Sequence, residues 1–137
     1  MRYLIDTNAV IGLMNGRAPG IAAALARQEP GDVGISAVVL FELAFGAFKS
    51  SRVQQNLDLI GALEFPHVPF EAEDAVEAGR LRDTLRRAGR PIGEYDLLIA
   101  GQALARGLVV VTANMREFER VVGLRVENWG TTPERGQ

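Results

Sequence analysis

Cysteine is absent from the 137-residue chain, which excludes disulfides and thiolate-bound zinc or iron–sulfur centres. Histidine occurs once, at His67, and of the 15 basic residues Lys49 is the one lysine. A zinc site built from imidazoles therefore has too few ligands. No apolar run approaches the roughly 20 residues that a membrane span requires. The opening MRYLID places a carboxylate after three apolar residues, too early for the apolar core of a secretion signal, about 7 to 15 residues long. The expectation is a soluble, cytoplasmic protein that meets no membrane. Excess positive charge is missing too: the formal charge is −2, which argues against nucleic-acid binding through a bulk positive field but leaves room for a local patch.

What the chain has is enough apolar residue, 47% of 137, to close a core within one domain of common size. We expect a domain over residues 1–130 and a loose tail over 131–137. The most ordered stretch is residues 91–118, PIGEYDLLIAGQALARGLVVVTANMREF. It starts at a Pro/Gly breaker, runs through about four apolar helical turns to Gly107, becomes the β-branched strand 108–111 and ends in the loop Thr112, Ala113, Asn114. Upstream, a short strand over 2–5 leads into a helix through Asp6, Thr7 and Asn8. An Ala-rich helix over 19–28 opens with proline. A strand over 33–35 is followed by Ser36, a good cap for the helix 37–48, AVVLFELAFGAF. Residues 50–63 form its antiparallel partner, 65–68 a proline-flanked strand, 71–88 a charged surface helix, 117–121 a short turn and 124–127 a final strand. Strands alternating with helices predict a parallel sheet covered by helices on both sides, an α/β domain.

Three carboxylates sit against apolar neighbours: Asp6 after LI, Glu42 between LF and LA, and Asp96 before LLIA. An ionised group there is costly in isolation. Each alone has an ordinary explanation: Asp6 and Asp96 as helix caps, Glu42 as an arginine's partner. In an α/β order, however, the tip of the first strand and the loop after the strand at Leu108 share the carboxyl edge of the sheet, where such folds place ligands, and both acid-bearing helices reach it. With oxygen ligands, no cysteine and one histidine, Mg²⁺ or Mn²⁺ is the cation such a set fits. It can activate water against a phosphodiester.

YLIDTN, SAVVLFEL, the IGxYDLLIAGQA pattern and VTANMREFERVVGLRVENW together resemble the PIN-domain ribonucleases, and are similar in particular to the VapC toxins of bacterial toxin–antitoxin systems. The resemblance covers about residues 3–129. It implies a three-layer α/β/α fold with a central, mainly parallel five-stranded sheet, and Mg²⁺-dependent endoribonuclease activity, with Mn²⁺ as substitute, that leaves a 5′-phosphate. It also implies a VapB-type antitoxin partner whose segment fills the acidic groove, and a homodimer, for which the helix pair over 37–63 is a candidate interface. The family's acidic quartet falls on Asp6, Glu42, Asp96 and Asn114, the first three as metal ligands. Asn114 is a departure, offering a neutral oxygen where an aspartate would offer charge. Glu94 is another, at a position often uncharged; it reaches the site or faces solvent.

Thr7, Asn8 and Thr112 are candidate donors that orient the carboxylates, or ordinary turn residues. Arg116, beside Asn114, is a candidate contact to RNA phosphate or the partner of Glu117 or Glu119. The arginines at 80, 82, 86, 87 and 90 read as a solvated helix face or as a phosphate grip. His67 reads as structural, and Trp129 as a cover over the core. Two rivals remain. A receiver-like signalling module needs a lysine near the last strands, where none stands. A catalytically weak PIN-fold scaffold follows if Asn114 disables the quartet.

Overall fold

The computed structural model describes residues 1–130; the tail expected over residues 131–137 lies outside them. At the centre is the strand Tyr3–Ile5 (β1), entirely buried. It pairs in parallel with Val33–Ser36 (β2) on one side and with Val109–Val111 (β4) on the other. His67–Val68 (β3) and Val126–Glu127 (β5) form the edges, giving the order β3-β2-β1-β4-β5 with every pairing parallel. The apolar runs of β1 (Tyr3, Leu4, Ile5) and β4 (Val109, Val110, Val111) have no exposed alternate positions, the signature of strands covered on both faces. The chain builds outward from β1 to β3 and then returns to the far side of β1, so the strand order reverses between β1 and β4. That is the switch point where open α/β sheets carry ligands, at the strands' carboxyl ends.

Seven helices cover the sheet among the described residues. Thr7–Met14 (α1) and Pro19–Ala26 (α2) follow β1. Ala37–Phe48 (α3) and Val53–Gly61 (α4) follow β2. Ala72–Arg87 (α5) and Glu94–Arg106 (α6) form a long hairpin between β3 and β4, and Met115–Phe118 (α7) is a single turn. The αL residue Gly107, φ 66°, ends α6 as only glycine does cheaply, and the chain enters β4. Asp6 accepts from the backbone N–H of Ala9, 2.9 Å away, and Ser36 from that of Val38, at 3.1 Å; both are N-caps set directly after a strand.

The elements differ from expectation mainly in extent. β3 and β5 have two residues each, because strands at a sheet edge gain hydrogen bonds on one side only. The turn expected at 117–121 forms at Met115–Phe118, starting directly after Asn114. α3 is not buried all round: Val38, Val39, Leu43 and Ala47 face the core, while Phe41, Phe45 and Phe48 are exposed. Among the described residues no single helix is long and apolar enough to cross a membrane.

Candidate active site

Four acids meet at the carboxyl edge, at the switch point. Asp6, at the tip of β1, is 2% exposed. Its Oδ1 caps α1, and its Oδ2 accepts from the hydroxyl of Thr112, which directly follows β4. The backbone tie from Asp6 N to Val111 O, 2.9 Å, fixes these two strand ends together. Thr112 Oγ1 in turn accepts from Asn114 N at 2.8 Å. Glu42, half-buried on α3, accepts a hydrogen bond of 2.7 Å from the Thr7 hydroxyl. Asp96 lies in the first turn of α6, against the Glu117 carboxylate of α7. Gly93 packs beside both, and its N–H donates to Glu117.

The electrostatics show convergence. Burial pushes the Asp6 carboxyl up, the hydrogen bonds from Thr112 and Ala9 oppose this, and the charge of Glu42 adds to it; the net shift is upward. Asp96 is pushed up to about 7, first by burial, then by its hydrogen bond to Glu117 and by the charges of Glu117, Asp6 and Glu42. The α6 N-terminus favours an anion there, but desolvation and three neighbouring carboxylates outweigh it. Glu117 moves the other way: the Gly93 N–H lowers it against burial, with help from Asn114, Asp96 and Arg120. Of the two facing carboxyls, Asp96 is thus the one held toward its protonated form and Glu117 the one held ionised.

The residues singled out from the sequence fall into two groups. Asp6, Glu42, Asp96, Asn114, Thr7 and Thr112 are brought together. Asn8 and Arg116 are exposed, and neither hydrogen-bonds to these acids among the described residues. Arg116 also forms no ion pair among them. Glu117, considered from sequence only as a salt-bridge partner, is turned inward instead, accepting at 2.6 Å from the Asn114 amide. The clue available was its position one helical turn after Asn114. His67 is exposed on edge strand β3, near Met1 and Arg106. Trp129 stacks edge-on against Tyr3, with ring centroids 4.9 Å apart, covering the core as expected.

These residues fit a hard divalent cation. Asp6, Glu42 and Asp96 have no lysine or arginine partner among the described residues, and the upward shifts of Asp6 and Asp96 mark a place short of positive charge. The acids do not form a closed cage: among the described residues no three of them stand in direct ligand geometry. Mg²⁺ needs no such cage, since it keeps several waters and takes one or two carboxylates directly.

A parallel α/β domain with an uncompensated acidic centre at its topological switch point is the class that fold and site define. The family model of the PIN domain matches residues 3–124. The chain is 38% identical over 131 residues to the tRNA(fMet)-specific endonuclease VapC of Shigella flexneri, covering 94% of this chain and 98% of that one. It is 35% identical to ribonuclease VapC2 of Haemophilus influenzae, with the same coverage. A solved structure of DNA-bound VapBC from Salmonella typhimurium superposes with a TM-score of 0.89 at 36% identity, covering 94% of this chain and 98% of that one. The chain belongs to the PIN-domain family, within its VapC group. PIN-domain ribonucleases generally depend on a divalent metal.

Proposed function

We propose that residues 1–130 form a Mg²⁺-dependent endoribonuclease, the toxin of a VapBC-type pair, working in the cytoplasm. The observation that carries this reading is the grouping of Asp6, Glu42 and Glu117 around Asp96, with no cationic side chain on the first two or on Asp96 itself. Asp6 and Asp96 would hold the cation, with Glu42 and Asn114 completing or orienting its shell. Glu117 adds the carboxylate that Asn114 lacks, which argues against a disabled scaffold. When bound, Mg²⁺ or Mn²⁺ lowers the pKa of a coordinated water and screens the charge of the phosphate.

The protein's own groups do the rest. Thr112 and Thr7 hold Asp6 and Glu42 in fixed rotamers, so that no reorganisation is needed on binding. Asp96 would serve as a ligand in its ionised form, which the cation's charge would favour. Arg116 and Asn8, exposed at the rim, meet the RNA backbone. Hydrolysis breaks the bond to the 3′ oxygen and leaves a 5′-phosphate. The name of the Shigella relative makes initiator tRNA the first substrate to test, and the likeness to the solved VapBC complexes supports a VapB-type antitoxin as partner. The Phe41, Phe45, Phe48 stripe of α3 supports a homodimer. The test is incubation of purified protein with tRNA in Mg²⁺, Mn²⁺ or EDTA, with mapping of 5′ ends. Cleavage lost in EDTA and in Asp6→Asn and Asp96→Asn is expected; nuclease-free protein that cuts no RNA in either metal overturns the reading.

A further inference from the structure

On the other side of the Pro91–Gly93 loop from the acids lies a hollow of about 220 Å³. The apolar side chains of Leu85, Ile92 and Leu97 line it, and Arg82, Arg86 and Glu94 stand around it. α5 runs antiparallel to α6, so its C-terminal arginines reach the same sheet edge as Asp96. The loop is a shared wall. Gly93 N donates to Glu117 within the acidic centre, while Pro91 O accepts from Arg120 Nη1 at 2.7 Å, which holds the wall in place. Glu94 and Asp96 lie two residues apart on α6, hence about 200° around its axis. One faces the hollow, the other the acids.

We propose that this hollow is a nucleotide subsite that seats one base flanking the scissile phosphate, an inference that rests on the ribonuclease reading above. The volume is below the roughly 300 to 1,000 Å³ of pockets that enclose drug-sized ligands, and suits a single planar ring. The apolar floor gives that ring a face to lie on, as bases in single-stranded RNA lie on side chains. Arg82 and Arg86 supply the phosphate grip. Their present partners are weakly held: Arg82 Nη2 is 3.9 Å from Glu94 Oε1, and Arg86 Nη2 is 2.7 Å from Asp83 Oδ1 in an exposed i,i+3 pair. Exposed pairs of this kind contribute little, and a phosphate takes both guanidiniums at small cost. Released from Arg82, the Glu94 carboxylate is an acceptor at the mouth of the hollow. It selects a base with an amine donor on its edge, as acids do with cytosine N4. The subsite thereby sets which sequence is cut, separately from the chemistry at Asp6 and Asp96.

The test has two arms. In the first, an RNA library with randomised flanks is cut by wild type, by Glu94→Gln and by Arg82→Ala/Arg86→Ala, with folding checked by thermal melting. The glutamate variant is expected to change base preference at one flanking position only. The arginine variant is expected to raise KM about tenfold while kcat changes little. In the second arm, the same changes are placed in Asp6→Asn protein and the affinity for a fluorescent single-stranded RNA is measured against salt. The log–log salt slope is expected to fall by about 0.7 per lost phosphate contact. Unchanged preference and KM, or an unchanged slope and affinity, overturn the subsite. Absence of cutting by wild type in the first arm overturns the ribonuclease reading instead, and the binding arm still decides the subsite.

Discussion

Asp74 is as buried as Asp6, at 1% and 2% exposure, yet its carboxyl is held below the ordinary range while that of Asp6 is pushed above it. Burial raises both. Asp74, however, meets Arg106 in a two-pronged pair, Nε to Oδ1 at 3.1 Å and Nη2 to Oδ2 at 2.9 Å, and also accepts from Glu71 N and Gln102. One buried acid has its cation built in; Asp6, Glu42 and Asp96 have no cationic partner among the described residues. This difference fixes a pH dependence. Asp96 holds a proton in the folded state up to about pH 7, whereas the unfolded chain releases it near 3.8. Between those values the native state binds more protons, so its contribution to stability is present at low pH and is lost as pH rises towards 7. Asp6 acts in the same direction. Glu117, lowered from 4.5, acts oppositely but only at lower pH. Metal-free protein should therefore show a Tm that falls between about pH 4 and 7 and levels off above, flattened in Asp96→Asn and restored at pH 8 by Mg²⁺; a wild-type Tm that is flat or rises across that window sinks the account. Glu117→Gln keeps an acceptor for Gly93 N but removes the charge, and should reduce kcat/KM and Mg²⁺ affinity about 10- to 100-fold. Undiminished cleavage and metal binding by that variant would exclude Glu117 from the centre. The three acids embedded in apolar sequence were legible because their neighbours made the desolvation cost visible. Glu117 was not, since Arg116 beside it and Glu119 beyond it offer a plausible salt bridge, and only the turn of α7 decides which way it faces.

α5 and α6 pack so closely that a Cβ on Gly101 would lie 2.6 Å from Ala78 Cα. This approach sets the spacing of the hairpin that carries Asp96 at one end and the Asp74–Arg106 pair at the other. Gly101→Ala must push backbone apart and should destabilise by about 1 to 3 kcal/mol. Gly79, on the same hairpin, is exposed, and a Cβ there meets nothing within 4 Å. Gly79→Ala should stabilise by about 0.5 to 1 kcal/mol, since glycine in a helix interior costs that much relative to alanine. Urea midpoints for the two variants test the pair of claims, and equal shifts of the same sign would refute them. Both glycines look alike in the sequence, as single interruptions of a helical pattern; which one touches a neighbouring backbone is a property of packing. The strand–helix alternation and the caps at Asp6 and Ser36 were legible, because they rest on local periodicity and local hydrogen bonds. The truncation of β3 and β5 was not, because it depends on their place at the sheet edges. Nor was the two-sided character of α3, where a run of nearly unbroken apolar residues hides which third of the helix faces outward.

That outward third bears on the state of the whole molecule. Phe41, Phe45 and Phe48 are 54%, 59% and 63% exposed, and their spacing sets them along one stripe of α3. Phe41 leans on Tyr95, with ring centroids 5.5 Å apart, so the stripe runs up to the acidic centre through the neighbours of Glu42 and Asp96. A helix stripe of this kind can be self-complementary, so the expected dimer would lay the α3 of a second copy across it about a two-fold axis. A stable dimer buries about 800 Å² on each partner, more than three rings supply, so Leu59 of α4 and the rim of Tyr95 must join the contact. The protein should run at about twice its 14.8 kDa chain mass in light scattering, with a Tm that rises with concentration. Phe45→Glu places a charge at the centre of the stripe and should yield monomer with intact fold by circular dichroism. A wild-type protein that remains a single 14.8 kDa species at every concentration would leave the α3 face to the antitoxin, and the site of each copy would then act alone.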